Sequence, residues 1–302
     1  MTSPHAPSAP SASAAGSWTL GDLTVHRIGF GSMRLTGSGA FDQGTPSDRP
    51  RAIGVLRRAV ELGVNHIDTA AFYFSRLRSA NELINSALAP YPADLVITTK
   101  VGPGRDPSGE WLSATPEQLR GQVEENLRQL GRDHLDVVNL RIMGGQLPAF
   151  VERFGALAEL REAGLIRHLG ISNVGLDHLA AAQRIAPVVC VQNRYGVGAT
   201  AEQQAVLAAC GEQGIAFVPF FAIAGDGREG GPAERAGEES AVLDIARAHG
   251  ATGAQVRLAW TLQQGEHVLA IPGTGNPEHL VENVAAGALR LTGPELARLA
   301  AC

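Results

Sequence analysis

At 302 residues, 44% hydrophobic and 18% charged, the chain can bury a full-sized core and falls outside the composition range of disordered proteins. A formal net charge of −5 without a basic run excludes a nucleic-acid-binding surface of the usual kind. The apolar stretches fall well short of the ~20 residues that a membrane helix needs, so no membrane partner is expected. Cys190, Cys210 and Cys302 give neither a disulfide framework nor a CxxC site. The nine histidines show no HExxH or paired metal spacing, so no metal site is read.

The chain opens on Ser, Ala and Pro, and residues 1–16 are expected to form a disordered tail because they carry too little apolar surface to offset ordering. No basic segment followed by an apolar one marks an export signal there, so a cytoplasmic location is expected. Trp18-Thr-Leu20 and Leu23-Thr-Val25 around Gly21-Asp22 read as a small β-hairpin. Short β-branched runs then alternate with helical stretches. Eight strands are predicted, at 28–30, 64–68, 95–99, 137–140, 168–171, 188–191, 216–220 and 268–271.

Helix signals lie between them. Ile53, Leu56 and Val60 keep one apolar face on an early helix. Thr115-Pro-Glu-Gln118 supplies a cap, a first-turn proline and a capping-box glutamine ahead of Leu119, Val123, Leu127 and Leu130, and Gly131 stops that helix. Thr292-Gly-Pro-Glu295 opens the last one. Strands and helices in strict alternation demand parallel pairing. Eight such units predict an α/β fold, a (β/α)8 TIM barrel with an N-terminal β-hairpin, occupying 17–302 as one domain. A doubly wound open sheet is the alternative. Two long connections without apolar periodicity, 102–114 and 224–239, follow strand ends and read as lids over the active-site face.

By count, the 25 basic residues are 24 arginines and one lysine, Lys100. Val101 follows it, so P-loop chemistry is excluded, and amine chemistry rests on Lys100 or the N-terminus. In a barrel the last residues of each strand face the active site. In order these are Ser32-Met33, Asp68, Lys100, Arg141, Ser172-Asn173, Gln192-Asn193, Phe220 and Pro272-Gly-Thr274. Tyr73 lies just past the second strand. An Asp, a Lys and a Tyr together form an acid–base unit: the carboxylate holds the lysine, whose charge lowers the phenol pKa from about 10 toward neutrality. Such a phenol can protonate a carbonyl oxygen while hydride reaches carbon.

From about Gly21 to Asn283 the sequence resembles the aldo-keto reductase superfamily. The matching segments are Gly29-Phe-Gly-Ser-Met33, His66-Ile-Asp-Thr-Ala70 with Tyr73, Thr98-Thr-Lys100, the run Gly164–Asn173, Val191-Gln192, and Ile271-Pro-Gly-Thr274 with Glu282-Asn283. The resemblance implies a barrel that binds NADP(H) without a Rossmann fold and reduces a small-molecule aldehyde or ketone. It implies that Asp68, Tyr73 and Lys100 are three members of a catalytic tetrad, with Tyr73 as general acid. Ser172, Asn173 and Gln192 would hold the nicotinamide carboxamide, and Phe220 would stack on its ring. Gly31, Ser32 and Met33 belong to the same cofactor cradle. Gly273, Thr274, His279, Glu282 and Asn283 correspond to the adenosine end.

Two departures stand out. The tetrad histidine is replaced by Arg141, within Asp136-Val-Val-Asn-Leu-Arg141. Arginine stays charged and could orient a carbonyl and stabilise a developing alkoxide; a structural ion pair is the alternative. At the 2′-phosphate position Gly273 and His279 stand where relatives often carry Lys and Arg, which leaves NAD(H) open beside NADP(H). Trp111, in the first lid, could line a substrate pocket together with Arg141. The chain ends soon after the last helix, which suggests an open pocket.

Other patterns read more plainly. Gly225-Asp-Gly-Arg-Glu-Gly230 spells GxGxxG, but Gly231-Pro232 follows it instead of an apolar helix, so it reads as a lid. His66 reads as a satisfied core histidine, and Cys190 and Cys210 as packing. Two further readings stay open: a catalytically impaired NADP(H)-binding regulatory protein, and a lyase forming a Schiff base on Lys100. Oligomeric state is not legible.

Overall fold

The computed structural model describes residues 9–37, 45–105, 110–223 and 236–302. Seven parallel strands lie side by side in chain order: Phe30–Gly31, His66–Asp68, Val96–Val101, Leu135–Arg141, Ile166–Ser172, Val188–Gln192 and Ala216–Phe217. An eighth stave closes the ring. Val268 bridges to Phe217 on one side and Ala270 to Ile28 on the other, both parallel. Backbone bonds complete the closure: Leu269 N to Phe217 O at 2.9 Å and Ala270 N to Arg27 O at 2.8 Å. The molecule is therefore a (β/α)8 barrel, and the open-sheet alternative falls because neither edge is left unpaired.

The last seam is tight. A Cβ on Gly31 would lie 2.6 Å from Ile271 O, and one on Gly273 would lie 2.5 Å from Gly31 O. Only glycine lets the first and eighth staves approach this closely.

Helices surround the ring where the caps predict them. Gln118 Oε1 accepts from Thr115 N at 2.9 Å, and Gly131 ends the helix Pro116–Leu130 with φ 63°. The helix Arg49–Glu61 buries Ala52, Val55, Leu56 and Ala59, while Ile53 and Val60 are only partly covered. The expected Ile53–Leu56–Val60 face is thus displaced, because two alanines let this helix pack close against the core.

The N-terminal hairpin, Ser17–Leu20 with Leu23–His26, closes the bottom of the barrel. Its Leu20 and Val25 join Val96, Val137, Cys190, Ala216, Val218 and Leu269 in an apolar plug. The last residues of the expected tail are ordered. Residues Ala12–Ala15 form a 3-10 turn with Ala12 and Ala15 buried. Ala12 N donates to Leu62 O at 2.8 Å, and Arg27 and Arg290 satisfy the carbonyls of Ala15 and Ala14. Two arginines that take up backbone oxygens replace the missing apolar surface; residues 1–8 lie outside the described residues.

The described parts of the connection at 102–114 form a strand pair that its composition does not suggest. Pro103–Arg105 pairs antiparallel with Trp111–Ser113, in segments too short to show periodicity. Of the second connection, 224–235 lie outside the described residues, the GxGxxG run Gly225–Gly230 among them, and the helix Ala236–His249 begins within its end. No described helix is long and apolar enough to cross a membrane.

Candidate active site

Side chains alternate along a barrel strand, so Asn139 and Arg141 share the interior face, and Asn139 is confirmed there by its bond from Cys190 Sγ at 3.1 Å. Lys100 is the Cα partner of Asn139, and Ser172 that of Arg141. This register gathers residues far apart in sequence at the C-terminal mouth. Lys100 Nζ donates to Asp68 Oδ1 at 2.5 Å and to Thr69 O at 3.2 Å. Gln192 Nε2 donates to the second carboxylate oxygen, Asp68 Oδ2, at 2.7 Å. Both members of the ion pair are nearly inaccessible, with side chains 3% and 4% exposed.

Tyr73 sits on the turn after the second strand, held by its N–H to Ala70 O at 3.0 Å and by Ala80 N to its own carbonyl at 2.9 Å. Lys100 Nζ lies 4.9 Å from the centre of its ring. The expectation that Lys100 draws the phenol down toward neutrality is not met. Burial pushes the Tyr73 phenol above its ordinary value, Lys100 and Arg141 pull against it, and Asp68 adds to the rise. Burial wins because the ring is almost wholly enclosed, so the phenol keeps its proton across the neutral range. Lys100 is opposed by burial but held above its ordinary value by Asp68 and Tyr73. Its ammonium is charged across the neutral range.

Arg141 donates from Nη1 to Ser172 Oγ at 3.2 Å and lies with Cζ 4.8 Å from the Phe220 ring centre. Among the described residues it forms no carboxylate ion pair, which leaves the cofactor phosphates as the partner for the ion-pair alternative. Asn173 adopts φ 64°, donates from its backbone N to Gln192 O at 3.0 Å and from Nδ2 to Ile142 O at 2.9 Å. Phe221, next to Phe220, also takes a left-handed backbone, φ 62°, a conformation that costs a bulky residue about 1–3 kcal/mol and gathers at functional sites.

Two buried polar atoms at this mouth have no partner: Gln192 Oε1 and Ser32 Oγ. Most buried polar groups in proteins are paired; among the described residues six more side-chain atoms are not, Asn139 Nδ2 and His66 Nδ1 inside the barrel among them. An amide with donors and an acceptor, such as a nicotinamide carboxamide, fits Gln192 Oε1 together with the hydroxyl of Ser172 and the uncommitted oxygen of Asn173. Met33 packs beside Ala70, Tyr73 and Ala80. At the adenosine end Thr274 Oγ1 accepts from Asn276 N at 3.0 Å, and Asn276 caps the helix Pro277–Ala285 that carries His279, Glu282 and Asn283. Asn283 is buried, His279 exposed, and Glu282 is tied through its carbonyl to Gln255 Nε2 at 3.0 Å. The glycines Gly31 and Gly273 owe their place to the seam between staves.

Sequence reasoning missed two features. Phe72 links Tyr73 to Trp111, edge-on to each with centroids 5.2 and 6.2 Å apart, which brings Trp111 to the site. A buried chain, Thr69 Oγ1 to Asn81 Oδ1, Asn81 Nδ2 to Asn126 Oδ1 and Thr99 Oγ1 to Asn126 Oδ1, braces the residues adjoining Asp68 and Lys100. Its signal was available: Asn126 interrupts the apolar stripe of Leu119, Val123 and Leu130. His66 is only half satisfied, with Nε2 on Thr98 Oγ1 at 3.1 Å and Nδ1 unpartnered. Cys190 and Cys210 are buried with thiols pushed up to about 12, as packing residues should be. Among the described residues no three His, Cys, Asp or Glu side chains converge on a metal-sized site.

Residues 27–302 match the model of the aldo/keto reductase family. Pyridoxine 4-dehydrogenase of Escherichia coli is 44% identical over 288 residues, covering 93% of this chain and 96% of the relative. A crystal structure of a thermostable aldo-keto reductase in complex with epalrestat superposes with a TM-score of 0.78 at 28% identity, over 93% of this chain and 96% of the other. The aldo/keto reductase of Klebsiella pneumoniae, crystallised with NADP and acetate, superposes with a TM-score of 0.72 at 27% identity, over 91% and 90%. Fold, mouth chemistry and likeness along nearly the whole length agree, and the chain belongs to the aldo/keto reductase family of oxidoreductases.

Proposed function

We propose that the protein is an NADP(H)-dependent reductase of aldehydes or ketones, with Tyr73 as the proton donor. The observation that carries this reading is the buried Asp68–Lys100 pair set against the Tyr73 ring beside the unpartnered Gln192 Oε1. The nicotinamide cofactor supplies the hydride. Tyr73 Oη delivers a proton to the carbonyl oxygen, and its raised pKa keeps that proton in place until negative charge develops on the substrate. Lys100, anchored by Asp68, then stabilises the tyrosinate left behind. Arg141 supplies a fixed positive donor at the same mouth for the forming alkoxide.

The Klebsiella relative crystallised with NADP favours the phosphorylated cofactor. NADH use is tested by the ratio of kcat/KM for the two cofactors. A Schiff-base lyase needs an amine that loses its proton readily; Lys100 is held the other way. The name of the Escherichia coli relative makes pyridoxal the first aldehyde to assay.

The test is single-turnover oxidation of bound NADPH by pyridoxal and by a reactive aromatic dione, wild type beside Tyr73→Phe. Oxidation in the wild type, slowed by about 10²–10⁴ in the variant, is expected. Equal rates in the two would remove Tyr73 from the chemistry, and tight NADPH binding without oxidation would favour the regulatory reading.

A further inference from the structure

Arg141 has more hydrogen-bonding capacity than its contacts among the described residues use. A guanidinium presents five N–H donors in one plane, and Arg141 spends one of them on Ser172 Oγ. The Phe220 ring centre lies 4.8 Å from Cζ, a contact that uses none of the N–H groups, which lie in the guanidinium plane. Arg141 is only partly buried, on the interior side of its strand and one alternation above Asn139. Its charge is felt at the Tyr73 phenol.

A reacting carbonyl oxygen takes one donor from Tyr73 and can share one from Arg141. More than one N–H of the guanidinium remains for a second oxygen on the same edge of the substrate. Histidine at this position would offer a single donor; arginine offers a fork. The nearby walls are aromatic: Phe72 stands edge-on to both Tyr73 and Trp111, and Trp111 is 38% exposed. We propose that Arg141 selects aromatic aldehydes that carry a hydroxyl or phenolate oxygen ortho to the carbonyl, gripping that second oxygen while Tyr73 protonates the first. This rests on the carbonyl-reductase reading above. It assigns Arg141 a specificity role that reduction of a simple aldehyde does not require.

The experiment compares 2-hydroxybenzaldehyde with 4-hydroxybenzaldehyde, isomers with the same groups in different places. With the full chain and NADPH, kcat/KM is measured for the wild type, Arg141→Gln and Arg141→Lys. Inhibition constants of 2- and 4-hydroxybenzyl alcohol are measured alongside, as a binding readout for variants that have become slow. Each variant serves as its own control for the intrinsic reactivity of the two isomers. A site that hydrogen-bonds a substrate hydroxyl discriminates strongly against analogues lacking it there, so the ortho-to-para ratio is expected to fall about tenfold or more in Arg141→Gln. Arg141→Lys, which keeps charge but loses the fork, should retain only part of the ratio. The inhibition constants should follow the same order. A ratio that is the same in all three proteins overturns the proposal. So does a preference for phenylglyoxylate over 2-hydroxybenzaldehyde that disappears in Arg141→Gln, because the second oxygen would then be a carboxylate. If the wild type oxidises NADPH with neither isomer but does so with the dione, this inference falls alone; if it oxidises NADPH with none of these carbonyls, the reductase reading falls and takes this inference with it. Turnover of both isomers at an unchanging ratio removes this inference alone.

Discussion

At the bottom of the barrel the hairpin drives Leu20 and Val25 into an apolar plug, and its one acidic residue there, Asp22, stays outside in contact with Arg167 and His168, 62% exposed. At the mouth the arrangement is inverted. Asp68 and Lys100 are pulled out of water, and polar atoms of Gln192 and Ser32 are left without partners. The Asp22 pair, screened by solvent, contributes little to stability. The Asp68 pair carries a large desolvation cost, and an apolar replacement of the same shape would often be no less stable. The bottom therefore reads as the end that holds the fold. The mouth reads as the end where stability is given up to bury charge, since orphaned polar atoms occur at both ends, Trp18 Nε1 in the hairpin as well as Gln192 Oε1 and Ser32 Oγ.

The sharpest way to break this comparison is at Lys100. Lys100→Met should lower the rate of hydride transfer by about 10²–10⁴, as loss of support for the acid would. It also leaves Asp68 as an unpaired buried charge, which should cost about 3–5 kcal/mol in a denaturant titration. Adding Asp68→Asn to Lys100→Met should recover most of the stability and none of the rate. Were the double variant as unstable as the single one, the pair would be holding the fold together, and the contrast between the two ends would fail.

Leu20→Ala probes the other end. Its side chain is fully buried in the plug, and truncation should cost about 2–5 kcal/mol. Single-turnover NADPH oxidation by the folded fraction should keep its wild-type rate. A rate that fell along with stability would mean that the bottom positions the mouth.

The same contrast explains what could be read before any coordinates. Eight β-branched runs with capped helices between them are local patterns, and closure follows from their number. Lys100 stood out because arginine had taken every other basic position, and Asp68 and Tyr73 because each type is confined to few strand-end places. Long-range pairings left weaker traces. The Asn81–Asn126 bond joins residues 45 apart, and only the polar break at Asn126 in an apolar stripe hinted at it. The balance at Tyr73 was misjudged because Lys100 is visible in the sequence whereas burial of the ring is not. The packed turn Ala12–Ala15 was hidden for a similar reason: its partners, Arg27 and Arg290, lie in distant segments.

His66 lies between the two ends, inside the barrel, and it offers the smallest effect with a definite sign. Burial pushes its imidazole down to about 4, with Asp68 raising it and Lys100 lowering it further. The close approach of Gly29, on which a Cβ would lie 3.0 Å from His66 Nδ1, leaves little room for water to solvate a charged ring. The folded protein therefore holds His66 neutral while the unfolded chain protonates near 6.5, so below that pH the unfolded state binds the extra proton. Stability from this residue is fully present above about pH 6.5 and is lost as pH falls toward 4, by about 3 kcal/mol in all. Denaturant titrations of the wild type and His66→Gln at several pH values isolate it, because the other titrating groups are common to both. The gap between the two stabilities should narrow or reverse toward pH 4. Parallel curves across that window would mean that the barrel interior admits the charged ring, and that the apolar character of the bottom ends below His66 instead of reaching up to it.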